Sequence, residues 1–402
     1  MPIVSVRGAN LPASPIRRLA PLAAAARAAG KKVYPLNIGQ PDLPLPQALR
    51  DAVARTDLKD LSYTPSDGEP ATRLALARFL ESRGIQTDPG HLIVTNGGSE
   101  ALLLAFLCIT DPGDEIICPE PLYANYVTLA QLAGAVIVGV PTTAADGYRL
   151  PSLEALRAAV TPRTRGILWS SPSNPTGCVY TLEELKRLCV LSEERDLYLI
   201  ADEVYQDFFF GAQRAPSIRD LMPEPARPDR VIVVDSASKR WAACGARLGW
   251  FYSKNDVLRG AVLRAAMSRL SPPMLSERMV QAVGELPDSY YAGIQAEYMK
   301  RRDTTLAGIN AIKGARCGRP EGAFYAFVEL PVDDSDRFSE FLLKDFHDDG
   351  RTVSVAPGSG FYATAQAVKR EVRLAYVLES GELAAAMAVL KNGVDAYNRL
   401  GC

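Results

Sequence analysis

Short apolar runs recur along this chain, and a polar or glycine-rich motif directly follows several of them. Each run has the length of a buried strand, and most stretches between the runs have helical periodicity. This alternation predicts a largely parallel sheet wrapped by helices, whose motifs meet at the carboxyl edge where such sheets bind ligands. The runs with their motifs are Leu92–Val94 with Asn96–Leu102, Gly166–Trp169 with Ser171–Gly177, Tyr198–Ile200 with Ala201–Tyr205, and Val231–Val234 with Ser236–Lys239; Glu115–Cys118 and Val136–Val140 are further runs.

Length and charge limit the classes of function. A chain of 402 residues predicts about two domains, and 48% hydrophobic with 23% charged residues is typical of an ordinary globular protein. The formal net charge of −1 provides no basic field for nucleic acid or for an anionic membrane. The longest apolar run, Ala101–Ile109, is far shorter than the roughly 20 residues of a membrane-spanning helix. We therefore expect neither nucleic acid nor a membrane as a partner.

Cysteine usage and the N-terminal residues bear on location. Seven cysteines, an odd number without CxxC pairs, favour a reducing compartment, so the cytoplasm is the expected location. No acidic residue precedes Asp42, which is also the composition of a mitochondrial transit peptide. The favoured alternative is an amphipathic helix with Ser14 as its cap and Pro15 in its first turn, ending near Gly30.

Candidate catalytic groups are few. The two histidines, His91 and His347, lie in unrelated contexts, so we expect no metal site and no histidine-based triad. Lys239 ends an apolar run, with hydroxyl groups before it at Ser236 and Ser238 and Arg247 downstream. Such a lysine could form an imine beside a bound phosphate, although a lysine after a buried strand is more often a solvated strand end.

The motifs together carry a family resemblance. In chain order they read SNPTG at 173–177, ADEVY at 201–205, SASK at 236–239 with Arg247 behind it, EGAFY at 321–325 and VRLAY at 372–376. This series resembles the fold-type I pyridoxal phosphate enzymes of the class I/II, aspartate aminotransferase-like family. The resemblance implies an α/β fold with a large, mostly parallel-sheet domain at 45–285, a smaller α/β C-terminal domain at 286–402, and an N-terminal segment at 1–44 packing with the small domain.

The resemblance also implies an activity. An amino group would pass from an L-amino acid to a 2-oxo acid by a ping-pong mechanism through a Lys239 imine, with aspartate and 2-oxoglutarate as one candidate pair. Two alternatives stay open. A carbon–sulfur β-lyase would use the same lysine, aspartate and arginine but expel a leaving group. A non-catalytic pyridoxal phosphate-binding regulator is disfavoured, because fewer than 40 residues precede Gly39 and leave no room for a DNA-binding module.

Residue roles for the cofactor follow from the matched motifs. Lys239, Asp202 and Tyr205 are the implied catalytic residues: Lys239 moves the substrate proton, Asp202 keeps the pyridine nitrogen protonated, and Tyr205 with Asn174 hydrogen-bonds the phenolic oxygen. Tyr123 matches the aromatic that stacks on the ring. Structural alternatives are a helix cap for Asp202, a turn around Asn174 and core packing for Tyr123.

A phosphate is expected at the helix that begins near Ser99, where unpaired N–H groups and the helix dipole favour an anion. Its predicted ligands are Gly98, Ser99, Ser236, Ser238 and Arg247. Tyr63 resembles the tyrosine that family members donate to the phosphate of the neighbouring subunit, which implies a homodimer with shared sites. The alternative for Tyr63 is a surface aromatic beside a turn.

Substrate contacts are implied as well. Arg373, in an otherwise apolar strand, matches the arginine that grips the substrate α-carboxylate, with Asn174 beside it and Gly39 closing from the other side. Some relatives bind acidic side chains through a basic residue close behind the glycine pair, but Ser99 holds that place here. Arg269 could receive the second carboxylate instead, against the alternative of a surface arginine.

Overall fold

The computed structural model describes residues 2–12, 14, 16–59, 61–364 and 369–400. Strands and helices alternate over the first two thirds of the chain. The strands are β1 (Lys32–Pro35), β2 (Leu92–Thr95), β3 (Glu115–Glu120), β4 (Val136–Pro141), β5 (Thr164–Ser170), β6 (Tyr198–Asp202), β7 (Val231–Ser236), β8 (Gly249–Tyr252), β9 (Tyr325–Glu329), β10 (Arg351–Ser354), β11 (Ala356–Pro357) and β12 (Glu371–Ala375).

The α-helices are α1 (Val6–Asn10), α2 (Ala20–Ala28), α3 (Gln47–Ala54), α4 (Pro70–Ser82), α5 (Gly98–Ile109), α6 (Asn125–Ala133), α7 (Leu153–Ala159), α8 (Leu182–Arg195), α9 (Ala237–Arg240), α10 (Asp256–Met267), α11 (Met274–Gln281), α12 (Asp288–Asn310), α13 (Ser335–Lys344) and α14 (Ser380–Arg399). Within the described residues, none of these helices is long and apolar enough to cross a membrane.

The largest sheet has the strand order β2-β8-β7-β6-β5-β3-β4. Its strands are parallel except β8, which is antiparallel to both of its neighbours. Strands β5, β6 and β7 are buried almost throughout, as expected for parallel strands covered on both faces. The predicted largely parallel sheet between helices is therefore confirmed.

Alternate residues of each central strand enter two different cores. On β7, Ile232 and Val234 pack with residues of α5, α6 and α10, whereas Val231 and Val233 pack with residues of α4, α8 and α11. This alternation follows from the two-residue period of a strand. It fixes the sheet between two helical layers, so the carboxyl ends of its strands form a rigid edge.

A separate core lies in the C-terminal third of the chain. Strands β11, β12 and β9 form an antiparallel sheet that packs with α12, α13 and α14. The N-terminal segment joins this part, because β1 pairs in parallel with β10 and α2 packs on α13. The division at 45 and 286 stays a prediction.

The predicted N-terminal helix is present in a shorter form. A 3-10 turn at Arg17–Leu19 runs into α2, and the hydroxyl of Ser14 accepts a hydrogen bond from the Arg17 N–H at 3.4 Å. Pro15 lies outside the described residues. Gly30 has a φ of +84°, which ends the segment as expected for a glycine.

Candidate active site

Lys239 lies in the short helix α9, which follows β7 directly. Ser236 caps this helix, since its hydroxyl accepts a hydrogen bond from the Ser238 N–H at 3.1 Å. The Lys239 amine donates to the backbone oxygen of Gly39 at 2.7 Å. Desolvation, aided by the positive charges of Arg373 and Arg247, lowers the pKa of Lys239. A lysine in this setting gives up its proton more readily than a solvated one and is not the free strand end of the alternative interpretation.

Asp202 ends β6 and is buried. The hydroxyl of Tyr126 donates to Asp202 Oδ2 at 2.6 Å, and the Val204 N–H donates to Oδ1 at 3.3 Å. Burial raises the pKa of Asp202 to about 6, and the bond from Tyr126 opposes that rise. No cationic side chain is within ion-pair distance of this carboxyl in the part of the chain that the structure describes. Among the described residues, Asp202 is thus a buried acid without an ion pair, and the more distant positive charge of Lys239 acts on it.

Arg373 lies in the middle of β12 and is only 2% exposed. Its Nη1 donates to Asn174 Oδ1 at 3.0 Å and its Nη2 to the backbone oxygen of Asn37 at 2.6 Å. Among the described residues, Arg373 Nε and Asn37 Oδ1 are buried without a hydrogen-bond partner. A buried guanidinium that meets neutral oxygens and no carboxylate is costly. This arrangement fits a group that awaits an anion.

Two tyrosines connect Arg373 with the lysine. The hydroxyl groups of Tyr205 and Tyr325 are 2.8 Å apart, and the Arg373 guanidinium lies 4.4 Å from the centre of the Tyr325 ring. A Cβ on Gly39 would come within 1.9 Å of the Tyr325 hydroxyl, so only glycine fits there. The Lys239 amine is 6.0 Å from the centre of the Tyr205 ring.

The start of α5 forms a glycine-lined turn at the same edge of the sheet. Gly97 precedes the helix with a φ of +79°, and α5 begins at Gly98 with Ser99 second. A Cβ on Gly249 would lie 2.5 Å from the carbonyl carbon of Gly97, so β8 passes directly behind this turn. Arg247 is exposed here, and its Nη2 donates to the backbone oxygen of Asn96 at 3.3 Å.

The hydroxyl groups predicted beside this turn lie close together. Ser236 Oγ donates to Ser238 Oγ at 2.8 Å, and both serines are buried.

The two predicted aromatic residues differ in exposure. Tyr123 is half-buried, with its ring 5.3 Å from that of Tyr126 in an edge-to-face contact. Tyr63, by contrast, is 78% exposed.

Arg269 is the predicted site residue with a different partner. Its Nε donates to Glu100 Oε2 at 3.0 Å and its Nη2 to the backbone oxygen of Val94 at 2.6 Å. Glu100 in turn accepts from the Asn96 N–H at 2.8 Å, so Arg269 supports the turn that precedes α5. It is not the surface arginine of the alternative interpretation. Binding of a second substrate carboxylate stays a prediction, and these contacts do not favour it.

Sequence reasoning overlooked several residues of this region. Tyr126, Tyr325 and Asn37 each contact a predicted site residue. Tyr325 belongs to the EGAFY motif and Tyr126 lies three residues after Tyr123, so both were within recognised segments. They were overlooked because their hydrogen bonds to the predicted site residues join distant parts of the chain.

Comparison with known proteins decides the family. The model of the class I and II aminotransferases matches residues 31–390. This chain belongs to that family. The aspartate aminotransferase of Streptomyces avermitilis is 33% identical over 377 residues, covering 90% of this chain and 89% of the relative. The aspartate/prephenate aminotransferase of Thermus thermophilus is 32% identical over 368 residues, covering 90% and 91%.

Solved structures agree with the sequence comparison. The aspartate aminotransferase from Thermus thermophilus with maleate has a TM-score of 0.87 at 30% identity, over 98% of this aminotransferase and all of that chain. An alanine aminotransferase from Pyrococcus furiosus has a TM-score of 0.87 at 27% identity over the same shares. The predicted fold class, transferase activity and pyridoxal phosphate dependence are therefore confirmed. The lyase and regulator alternatives are not favoured.

Proposed function

We propose that this aminotransferase is a cytoplasmic homodimer that transfers the amino group of an acidic amino acid, aspartate first, to 2-oxoglutarate. The observation that carries the proposal is the buried guanidinium of Arg373, whose Nε has no partner among the described residues. An α-carboxylate supplies the missing charge and accepts two parallel hydrogen bonds from such a group. Both substrates of a transamination between an amino acid and an oxo acid carry that carboxylate.

The residues around Lys239 fit pyridoxal phosphate. Asp202 is a buried acid with no ion pair among the described residues, which suits a protonated pyridine nitrogen, and Tyr205 and Asn174 carry polar groups for the phenolic oxygen. The start of α5, with Ser236, Ser238 and Arg247, would hold the phosphate. Tyr123 would stack on the ring, and Lys239 would hold the aldehyde. When bound, the cofactor supplies an electron sink for the substrate Cα–H bond.

The proton transfer falls to Lys239. Its amine must be neutral to accept the Cα proton, and desolvation with the charges of Arg373 and Arg247 lowers its pKa in that direction. The contact with the Gly39 carbonyl keeps the amine directed toward the N-terminal segment that would close over the substrate. Asn174 touches Arg373, so one amide connects the proposed carboxylate and cofactor contacts.

Arg373 and Gly39 both lie in the parts that form the proposed small domain. The backbone oxygen of Asn37 and the guanidinium of Arg373 hold these two segments together. We assign 45–285 to the large domain and 1–44 with 286–402 to the small one. A substrate carboxylate bound by Arg373 would then draw the small domain over Lys239 and exclude water.

Relatives support the acidic donor, since several are named aspartate aminotransferases. Arg269 already pairs with Glu100, so a second substrate carboxylate at Arg269 would have to compete with that ion pair. Tyr63 supports the homodimer through its resemblance to the tyrosine that family members donate to the neighbouring subunit's phosphate, and its exposure leaves it available for that contact. The cytoplasmic location rests on the seven cysteines, of which the six described are free thiols.

The experiment that tests the proposal is an amino acid panel. Purified protein loaded with pyridoxal phosphate is mixed with aspartate, glutamate, alanine and cystathionine, and the absorbance of the bound cofactor is followed. We expect aspartate to bleach the cofactor band and 2-oxoglutarate to restore it. Release of pyruvate and ammonia from cystathionine without any oxo acid would contradict transamination in favour of elimination.

A further inference from the structure

The loop that follows Tyr63, residues 64–69, is hydrogen-bonded to helix α11 through the buried carboxylate of Glu277. The hydroxyl of Thr64, the residue next to Tyr63, donates to Glu277 Oε2. The backbone N–H of Glu69, at the other end of the loop, donates to Glu277 Oε1 at 2.7 Å. Glu277 is fully buried, whereas Tyr63 is 78% exposed. This one buried side chain bonds both ends of the loop that follows the exposed tyrosine.

Neighbouring residues of α11 hold the same loop. Arg278 Nη2 donates to Glu69 Oε1 at 2.8 Å, and Gln281 Nε2 donates to Glu69 Oε2 at 2.7 Å. A Cβ on Gly68 would approach Val94 to 2.4 Å, so the loop also packs tightly on β2. The loop is therefore held against the central sheet as well as against α11.

The carboxyl of Glu277 has no ion pair with a cation in the described ranges, and burial raises its pKa. Burying an acid without an ion pair costs stability, and the hydrogen bonds of Glu277 to the loop and to Thr72 offset part of that cost. A buried carboxyl therefore holds residues 64–69 in place, although no proposed catalytic residue of the same subunit lies in that loop.

We propose that Glu277 is a positioning residue: it fixes the loop so that Tyr63 of one subunit reaches the cofactor phosphate bound in the other. This inference rests on the proposed homodimer with shared sites. It makes Glu277 act on the partner subunit's site and not on its own. A merely structural glutamate would affect both sites alike.

The first test compares cofactor affinity among single variants. Each protein is titrated with pyridoxal phosphate, reduced with borohydride, and mapped for the pyridoxyl group on Lys239. We expect Glu277→Ala and Tyr63→Phe to raise the half-labelling concentration by on the order of 10- to 100-fold, as for one hydrogen bond to a charged group. The double variant should be no worse than Tyr63→Phe alone. Additive losses would overturn the proposal.

Conservative variants separate positioning from folding. Glu277→Gln should bind the cofactor like wild type, because the amide oxygen can accept from Glu69 while its N–H group donates to the Thr64 hydroxyl. If Glu277→Ala does not fold, Thr64→Val serves in its place, since it removes the same bond and keeps the side-chain shape. Glu285→Ala, an exposed acid close behind α11, is the matched control and should change nothing.

Hybrid dimers give the decisive result. In the first hybrid, one chain carries both Glu277→Ala and Lys239→Ala and the other is wild type, so the remaining lysine faces the altered loop. In the second, the two substitutions are on separate chains, so the remaining lysine faces an intact loop. We expect weak labelling in the first and wild-type labelling in the second. Equal labelling would overturn the role of Glu277.

The same hybrids built with Tyr63→Phe distinguish the two proposals. Labelling of the remaining Lys239 can differ between the two hybrids for Tyr63→Phe but be equal for Glu277→Ala. In that case the shared site stands and the positioning role of Glu277 fails. If sedimentation shows a monomer, or if Tyr63→Phe acts only on its own chain, the shared site fails and the positioning role fails with it.

Discussion

The hydroxyl of Tyr126 lies 2.6 Å from Asp202 Oδ2 and donates a hydrogen bond to it, so the acid proposed to hold the cofactor ring has a fixed neutral partner. The pair joins the first turn of α6 to the end of β6. A tyrosine hydroxyl stabilises the ionised form of an acid without neutralising it. The carboxylate keeps its charge available for a cation.

This pair predicts a pH dependence of cofactor binding. In the free protein the Asp202 carboxyl, with a pKa of about 6, takes up a proton as the pH falls through that value, and a neutral acid cannot pair with a protonated ring. We expect affinity for pyridoxal phosphate to weaken below about pH 6. Tyr126→Phe removes a bond that lowers this pKa, so its midpoint should move to higher pH.

The cofactor's own phosphate also titrates near pH 6, so the comparison between variants is the informative measurement. Equilibrium titrations of wild type, Tyr126→Phe and Tyr123→Phe between pH 5 and 8 contain the same cofactor ionisations. Tyr123→Phe keeps the aromatic ring and leaves the bond from Tyr126 to Asp202 intact. The pH midpoint of cofactor binding in this variant should therefore match wild type. Identical midpoints for all three proteins would contradict the assigned pairing.

Replacing the acid itself should slow the reaction. Asp202→Asn keeps the shape of the side chain but removes the charge that would hold the ring nitrogen protonated. We expect turnover to fall by on the order of 10²-fold or more, as for other electrostatic deletions. Single-turnover rates at saturating pyridoxal phosphate measure this. Near-normal rates with the cofactor bound would exclude Asp202 from the role.

Arg373→Lys should lower kcat/KM for both substrates to a similar extent. Lysine keeps a charge but cannot form two parallel bonds, and the loss of one charge-assisted hydrogen bond lowers kcat/KM by on the order of 10- to 100-fold. Steady-state kinetics with aspartate and with 2-oxoglutarate measure the effect in each half-reaction. Arg370→Lys, at an exposed position just before β12, is the control. A loss confined to one substrate would argue against a shared carboxylate site.

Arg269→Ala separates two roles of this residue, which are support of the turn before α5 and binding of a second substrate carboxylate. The pairing with Glu100 and the Val94 carbonyl predicts that the substitution loosens the turn before α5 and weakens cofactor binding, with equal loss for aspartate and alanine. Kinetics with both donors at saturating cofactor separate the cases, and Arg264→Ala on the exposed side of α10 is the control. A selective loss of aspartate activity would instead assign Arg269 to the second carboxylate.

The sheet was predictable because its information is local. Buried strands such as Val231–Ser236 and Tyr198–Asp202 are short apolar runs whose ends are marked by polar residues. Strand β8 (Gly249–Tyr252) was not predicted, since it follows the Arg247 motif at once and has no polar boundary before it. Its place in the sheet brings Gly249 close behind Gly97, which is a contact between distant segments.

The site was predictable as a set of motifs but not as a set of partners. Lys239, Asn174 and Arg373 could be proposed as site residues because each belongs to a motif of adjacent residues. The hydrogen bonds around the proposed site join residues far apart in the chain, such as Tyr126 with Asp202 and Arg269 with Glu100. One sequence carries no record of such pairings, so only the fold reveals them.

The most direct test of the whole account is covalent mapping of the cofactor. The protein is supplied with pyridoxal phosphate, reduced with borohydride and digested, and the peptides are analysed by mass spectrometry, with Lys239→Ala as the control. We expect one pyridoxyl group, on Lys239, which is absent from the control. Labelling at another lysine, or a protein that binds the cofactor and leaves Lys239 unmodified, would contradict it.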